Sequence, residues 1–274
     1  CMRGFMVQKE CIFCGNQGKM SKEHLWPNWL NNLSEKDENA KYQEGAAYGI
    51  ANNESNQFKM NVRSGDVMTK KYRVVCRTCN SGWMSSIEES VKPILLGAFG
   101  DCDKFLTNKE LKELSTWLVM KNMVAEQTDN ESVVTSKEEC HLFESNRVFP
   151  KYYKVYAARH SLDTTALYSR ETAFLKTHPD APNEIDGLRR NTQVTTLVVG
   201  KVVFFIICCK EPSFNVCHDF KLNRLTRFYP ERPKKTGKKL KHLKMLSDQQ
   251  FVSVAKALSL YIESGKVEIV RKCT

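Results

Sequence analysis

The sequence predicts an α+β protein in two parts, a small cysteine-stapled N-terminal module and a larger domain built on an antiparallel sheet with flanking helices. Three observations lead there. Four cysteines stand as two C-x-x-C pairs, Cys11 with Cys14 and Cys76 with Cys79. A strongly apolar stretch from Val194 to Cys208 is divided by Gly200 and reads as a β-hairpin. Ser136 with Glu139, and Ser247 with Gln250, repeat the Ser-x-x-Glu/Gln pattern that opens helices. A glycine-bounded segment, Gly97 to Gly100, separates residues 1–100 from residues 101–274.

Along the chain, each C-x-x-C pair can form a tight knuckle presenting two thiolates, and two pairs complete the four-sulfur shell that structural zinc prefers. Gly15 and Gly82 lie just outside the knuckles, and 61 residues separate the pairs. Buried or oxidised cysteines are the alternative. Trp26, Trp29, Leu30 and Leu33, together with Trp83, Met84 and Ile87, fall at near-helical spacing and read as a small core. Residues 34–56 are polar and read as loop. Phe58, Met60 and Val62 alternate before a Ser64-Gly-Asp66 turn, which predicts a hairpin with the stretch from Val67 to Val75. Ser81 to Leu96 reads as a helix that Asn80 could cap. In the second part, Asn108 opens a helix carrying Leu111, Leu114, Trp117, Leu118 and Val124. Strands are expected at Tyr152 to Ala158 and around Ala166 to Leu175. A last helix from about Asp248 to Glu263 buries Phe251, Val254, Leu258 and Tyr261.

Cys11-Ile-Phe-Cys14, Ser21-Lys-Glu-His24-Leu-Trp-Pro27 and Val75-Cys-Arg-Thr-Cys-Asn80 resemble the HNH (His-Me finger) endonucleases in their zinc-stapled form, over roughly residues 8 to 95. The resemblance implies a ββα-metal finger with a hairpin insertion, in which a β-hairpin packs against a helix. It also implies His24 as general base, Glu23 in the place of an acidic metal ligand, and Asn80 as a second ligand at the helix start. Lys70-Lys71-Tyr72-Arg73 stands where many members carry an Asn or His that buttresses the catalytic histidine. Glu88, two helical turns after Asn80, reads as a surface charge, with an added ligand role as the alternative.

The residue types suit phosphodiester hydrolysis on chemical grounds. Water must lose a proton, and an imidazole with an ordinary pKa of about 6.5 is neutral and basic enough near neutrality. The leaving oxygen needs a counter-charge, which a hard divalent ion on carboxylate and amide oxygens supplies. Magnesium or manganese is therefore the expected catalytic ion, beside structural zinc on Cys11, Cys14, Cys76 and Cys79. On an extended strand Glu23 and His24 would face opposite ways, so a bulge or kink is needed to converge them.

Composition bounds the partners. Hydrophobic residues make up 41% of the 274, enough for real cores, and the net charge is +11. The first 100 residues carry 13 basic and 10 acidic side chains, so most of the excess lies beyond them. Much of it falls on Arg232, Lys234, Lys235, Lys238, Lys239, Lys241 and Lys244, a stretch without an acid. Such a segment can follow a phosphate backbone. The resemblance implies DNA as substrate over RNA, and the second domain is expected to position substrate, bind a protein partner, self-associate or sense a signal. Eleven cysteines without a secretory segment point to a reducing, cytoplasmic setting, which the resemblance would place in a prokaryotic or phage-infected cell, and no apolar run is long enough for a membrane helix. Met2 after Cys1 reads as a translation start. Cys208 and Cys209 read as packing, and His141, His160, His178, His218 and His242 as core or surface residues, with Cys217-His218 a weak metal or nucleophile pair. Two other functions compete with the nuclease: a catalytically silent zinc-finger nucleic-acid-binding module, and a sensor or interaction protein.

Overall fold

The computed structural model describes residues 9–33, 41–47, 58–64, 67–100, 105–127, 132–175, 190–211, 222, 225–230 and 238–263. The N-terminal part begins with a cysteine knuckle, in which Gly15 takes a positive φ of 71° and returns its N–H to the Cys11 carbonyl. Strand β1 (Glu23–His24) is two residues long, and a 3₁₀ turn (Asn28–Asn32) follows Pro27. Strands β2 (Lys41–Ala47) and β3 (Phe58–Ser64) pair with each other, antiparallel, and β4 (Lys71–Tyr72) pairs with β1. Then come α1 (Arg77–Cys79), a π-helical turn (Asn80–Met84) and α2 (Ser85–Gly97).

Two sequence expectations change here. Part of the expected loop at 34–56 is strand β2, and β3 takes β2 as its partner instead of the stretch from Val67 to Val75. Two-residue alternation identifies a strand without naming its neighbour; Lys71–Tyr72 is drawn to β1, where Tyr72 and Glu23 are both buried. Of the small core, Trp26, Leu30 and Met84 are buried, Trp29, Trp83 and Ile87 pack partly buried against it, and Leu33 lies exposed.

The second part opens with β5 (Phe105–Leu106) and α3 (Asn108–Glu126). The cap of α3 is Thr107, not Asn108: its hydroxyl accepts from Glu110 N–H while Glu110 returns to the Thr107 N–H, a complete capping box. Helix α4 (Lys137–Asn146) is capped by Ser136 and Glu139 as expected. Strands β6 (Tyr153–His160), β7 (Ala166–Ala173), β8 (Thr192–Val199), β9 (Val202–Cys209) and β10 (Thr226–Tyr229) form an antiparallel sheet in the order β10-β6-β9-β8-β7. Strand β11 (Lys238–Lys239) pairs with β5, and β12 (Met245–Leu246) runs parallel to the end of β6. The final helix is divided at Lys256 into α5 (Asp248–Ala255), capped by Ser247 and Gln250, and α6 (Ala257–Glu263). The side chain of Tyr261, and residues 178 and 217–218, lie outside the described residues. Among the described residues no helix is long and apolar enough to cross a membrane.

The expected hairpin at Gly200 is present, and its two strands are buried on both faces, which explains the continuous apolar run through Cys208 and Cys209. One face, with Val155, Leu197, Phe204 and Ile206, joins α3 and the N-terminal part in a single core. The opposite face, with Val194, Phe205 and Ile207, receives Phe251, Val254 and Leu258 from α5 and α6. Gly200 adopts a φ of 57° and lies so close to the end of α2 that a Cβ would stand 2.5 Å from the Ala98 carbonyl oxygen. That carbonyl accepts from Lys201 N–H, so the hairpin turn is pinned onto the N-terminal part.

Between α3 and the sheet lies a fully buried polar cluster. One carboxylate oxygen of Glu126 accepts from the Val134 and Thr135 N–H groups and from the Gln193 amide, while the other oxygen has no partner among the described residues. Burial pushes the Glu126 carboxyl up to about 7, against these hydrogen bonds. The folded protein therefore holds a proton that the unfolded chain releases near pH 4.5, so stability falls as pH rises from about 4.5 to about 7. The loss across that window is about 3 kcal/mol for this one group. We expect denaturant unfolding at about pH 5 and about pH 8 to show this decline in the native protein and to lose it in Glu126→Gln.

Candidate functional site

The four cysteines of the two knuckles are brought together: all four sulfur atoms lie within 4.8 Å of one another. The Cys14 and Cys76 sulfurs are 3.6 Å apart, and a tetrahedron with metal–sulfur bonds of ~2.3 Å has edges of ~3.8 Å. None of the four is in a disulfide. Burial raises the Cys14 and Cys79 thiols above their ordinary range, so gathering thiolates here calls for a compensating cation. The cluster can hold a zinc ion. Its frame is local: Ile12 N–H donates to the Val74 carbonyl, and Cys76 caps α1 by accepting from Cys79 N–H. Asn80 therefore does not cap the helix.

Beside this cluster a cleft of about 290 Å³ is lined by Ser21, Glu23, His24, Arg77, Asn80 and Glu88, among others. Three of these are the residues that the sequence singled out. Ser21 ties its two edges together: its N–H and hydroxyl both donate to the Val75 carbonyl, and its oxygen accepts from the Asn80 side-chain amide at 2.9 Å. That orientation commits the Asn80 nitrogen to Ser21 and leaves its carbonyl oxygen available. Asn80 also begins a turn kinked at Gly82, whose φ of −96° and ψ of −112° are not helical, and the Ser85 N–H reaches back to the Asn80 backbone carbonyl. The ring of His24 lines the cleft, and its Nε2 is shielded without a hydrogen-bond partner among the described residues. Burial holds its pKa below the ordinary histidine value, with the Lys71 and Lys121 charges acting in the same direction and Glu88 against them. The imidazole is neutral near pH 7 and able to accept a proton.

The residue that sequence reasoning missed is Lys121. It lies in the middle of α3, fully buried, and its ammonium donates to three oxygens: the Glu23 carboxylate in a short contact, the His24 backbone carbonyl at 2.8 Å and the Glu88 carboxylate at 3.0 Å. Trp117 lies one turn earlier with its ring 5.9 Å from the ammonium. Burial lifts the Glu23 carboxyl, with Lys121 pulling it down, whereas burial depresses Lys121 and the two carboxylates more than reverse that. The charged pair is the state that three converging oxygens favour, because a neutral amine could not satisfy them all as a donor of the same strength. Glu88, read as a surface charge, is instead turned into the cleft by this contact. A signal for Lys121 was present in the sequence, since a lysine inside Leu118-Val-Met-Lys-Asn-Met-Val-Ala125 cannot avoid burial on a helix that is apolar around it.

None of the described residues of the basic segment lines the cleft. Arg232, Lys234 and Lys235 lie outside the described residues. Lys238 and Lys239 form β11 against β5, just before the start of α3, and Lys241 and Lys244 follow. Lys121 is fourteen residues along α3 from its cap, or ~20 Å at ~1.5 Å per residue.

No protein-family model, no curated protein and no solved structure matches this chain. For the cysteine cluster we expect elemental analysis to find one zinc per chain. Cys79→Ser should lose it together with roughly 10 °C or more of thermal stability, and undiminished stability without zinc would remove the staple.

Proposed function

We propose that this chain is a metal-dependent endonuclease of the HNH type, hydrolysing phosphodiester bonds of nucleic acid, with DNA favoured over RNA. The observation that carries the proposal is the convergence of the adjacent pair Glu23 and His24 with Asn80, distant from them in sequence, on one cleft beside the cysteine cluster. A short β1–β4 ladder, with α1 and the turn that begins at Asn80 following a few residues later, would suit a ββα finger. Cytoplasmic action in defence, restriction or phage biology would suit such an activity.

In this mechanism the neutral His24 takes a proton from the attacking water. The water oxygen forms a bond to phosphorus as the bond to the ester oxygen breaks, giving a phosphomonoester and a free hydroxyl, and the leaving oxygen receives a proton from solvent. A magnesium or manganese ion would supply charge to that oxygen. The carboxylate of Glu23 and the carbonyl oxygen of Asn80 are hard donors suited to hold such an ion, and Glu88 adds a carboxylate at the same cleft. Arg77 at the mouth offers a guanidinium to a phosphate oxygen. Lys238, Lys239, Lys241 and Lys244 would hold the nucleic acid away from the cleft, and these together with Arg232, Lys234 and Lys235 would make binding salt-dependent.

The test is cleavage of supercoiled plasmid at low salt with magnesium, manganese or EDTA. We expect nicking that requires the ion and falls at least ~100-fold in His24→Ala. A plasmid left intact under every condition, yet still bound, would make the chain a silent zinc-finger binding module; indifference to both DNA and RNA would leave a sensor or interaction role.

A further inference from the structure

We propose that Lys121 is a positioning residue that sets the charge of the cleft, weakening its hold on a divalent ion while strengthening its hold on the phosphate. This rests on the nuclease reading above. The ammonium lies against both carboxylates of the cleft, Glu23 and Glu88, and against the His24 carbonyl. It is fully buried and so remains beside them whatever enters from solvent.

Two carboxylates and one ammonium leave the cluster with a single unit of negative charge. A divalent ion converts this to a single unit of positive charge, which matches one phosphodiester group. Without the ammonium, the same ion would be bound by two uncompensated carboxylates and would leave no net charge to attract the phosphate. Charges this close in a partly desolvated site interact strongly, so Lys121 acts on the two ligands in opposite directions. On β1, Glu23 and His24 would be expected to face apart, and Lys121 draws the side chain of one and the backbone of the other to a single point, with both residues still lining the cleft.

The experiment measures two binding constants on zinc-loaded protein carrying His24→Ala, so that no cleavage intervenes. Manganese affinity is read from the free-ion paramagnetic resonance signal, and duplex DNA affinity from fluorescence anisotropy at saturating manganese. Adding Lys121→Met should tighten manganese binding at least ~tenfold and weaken DNA binding by a similar factor. Should that variant fail to fold, Glu88→Gln, at a partly exposed position, should do the reverse and weaken manganese binding at least ~tenfold. Constants that stay unchanged, or that weaken together, in a folded variant would overturn the proposal. Intact plasmid with the native protein would sink the nuclease reading, while opposite movement of the two constants would still uphold the charge-setting role.

Discussion

A charge carried into a protein interior has to be met there, and in this chain the requirement falls on Lys121. Removing a partner from a buried ion pair costs about 3–5 kcal/mol, a large share of the stability of an ordinary domain. The ammonium must therefore find Glu23, Glu88 and the His24 carbonyl together, and those groups belong to two elements, β1 and α2. With α3 itself, three elements distant in sequence are fixed at one point. The cleft is what remains open around it.

The rest of the N-terminal part is held by constraints that point to the same place. The cysteine cluster brings residues 11–14 against residues 76–79, and Ser21 links the Val75 backbone to Asn80, so the cysteine cluster and the cleft share one short frame. Gly200 and Lys201 then seat the β8–β9 turn on the end of α2. With α3 crossing beneath, the apolar side chains of residues on both sides of the Gly97–Gly100 segment merge in one core. The second part thus supplies the lysine that completes the cleft of the first.

What could be read from the sequence was local chemistry. The C-x-x-C spacings predict a four-sulfur cluster, two capping boxes predict the starts of α4 and α5, and an apolar run divided by Gly200 predicts the central hairpin; each depends on residues a few positions apart. The third capping box, Thr107 with Glu110, was equally visible but was displaced by Asn108, a residue also favoured at helix starts. What could not be read depends on distant partners. The alternation of Phe58, Met60 and Val62 carries no information about whether β2 or the following segment lies alongside. Glu88 is a surface charge on α2 taken alone, and becomes part of the cleft only because α3 brings Lys121 to it. For the candidate site, His24, Glu23 and Asn80 were legible as motif residues, whereas their common orientation was set by Ser21 and Lys121.

Helix α3 shows how such orientation is enforced. An apolar helix in an apolar core could rotate or slip with little penalty, since many hydrophobic arrangements fill space comparably well. Polar residues remove that freedom. Lys121 faces the N-terminal part, while the next residue, Asn122, donates to Tyr153 and accepts from Thr195 in the sheet, and Glu126 one turn later accepts from Thr135 and Gln193. A slip of one residue would break all three sets at once and bury their groups unpaired, a penalty of several kcal/mol for the charged pair alone. The helix is thereby held in one register by contacts to both of its sides. Because Lys121 is one of those contacts, the same register that seats α3 on the sheet also determines where the carboxylates of the cleft are held.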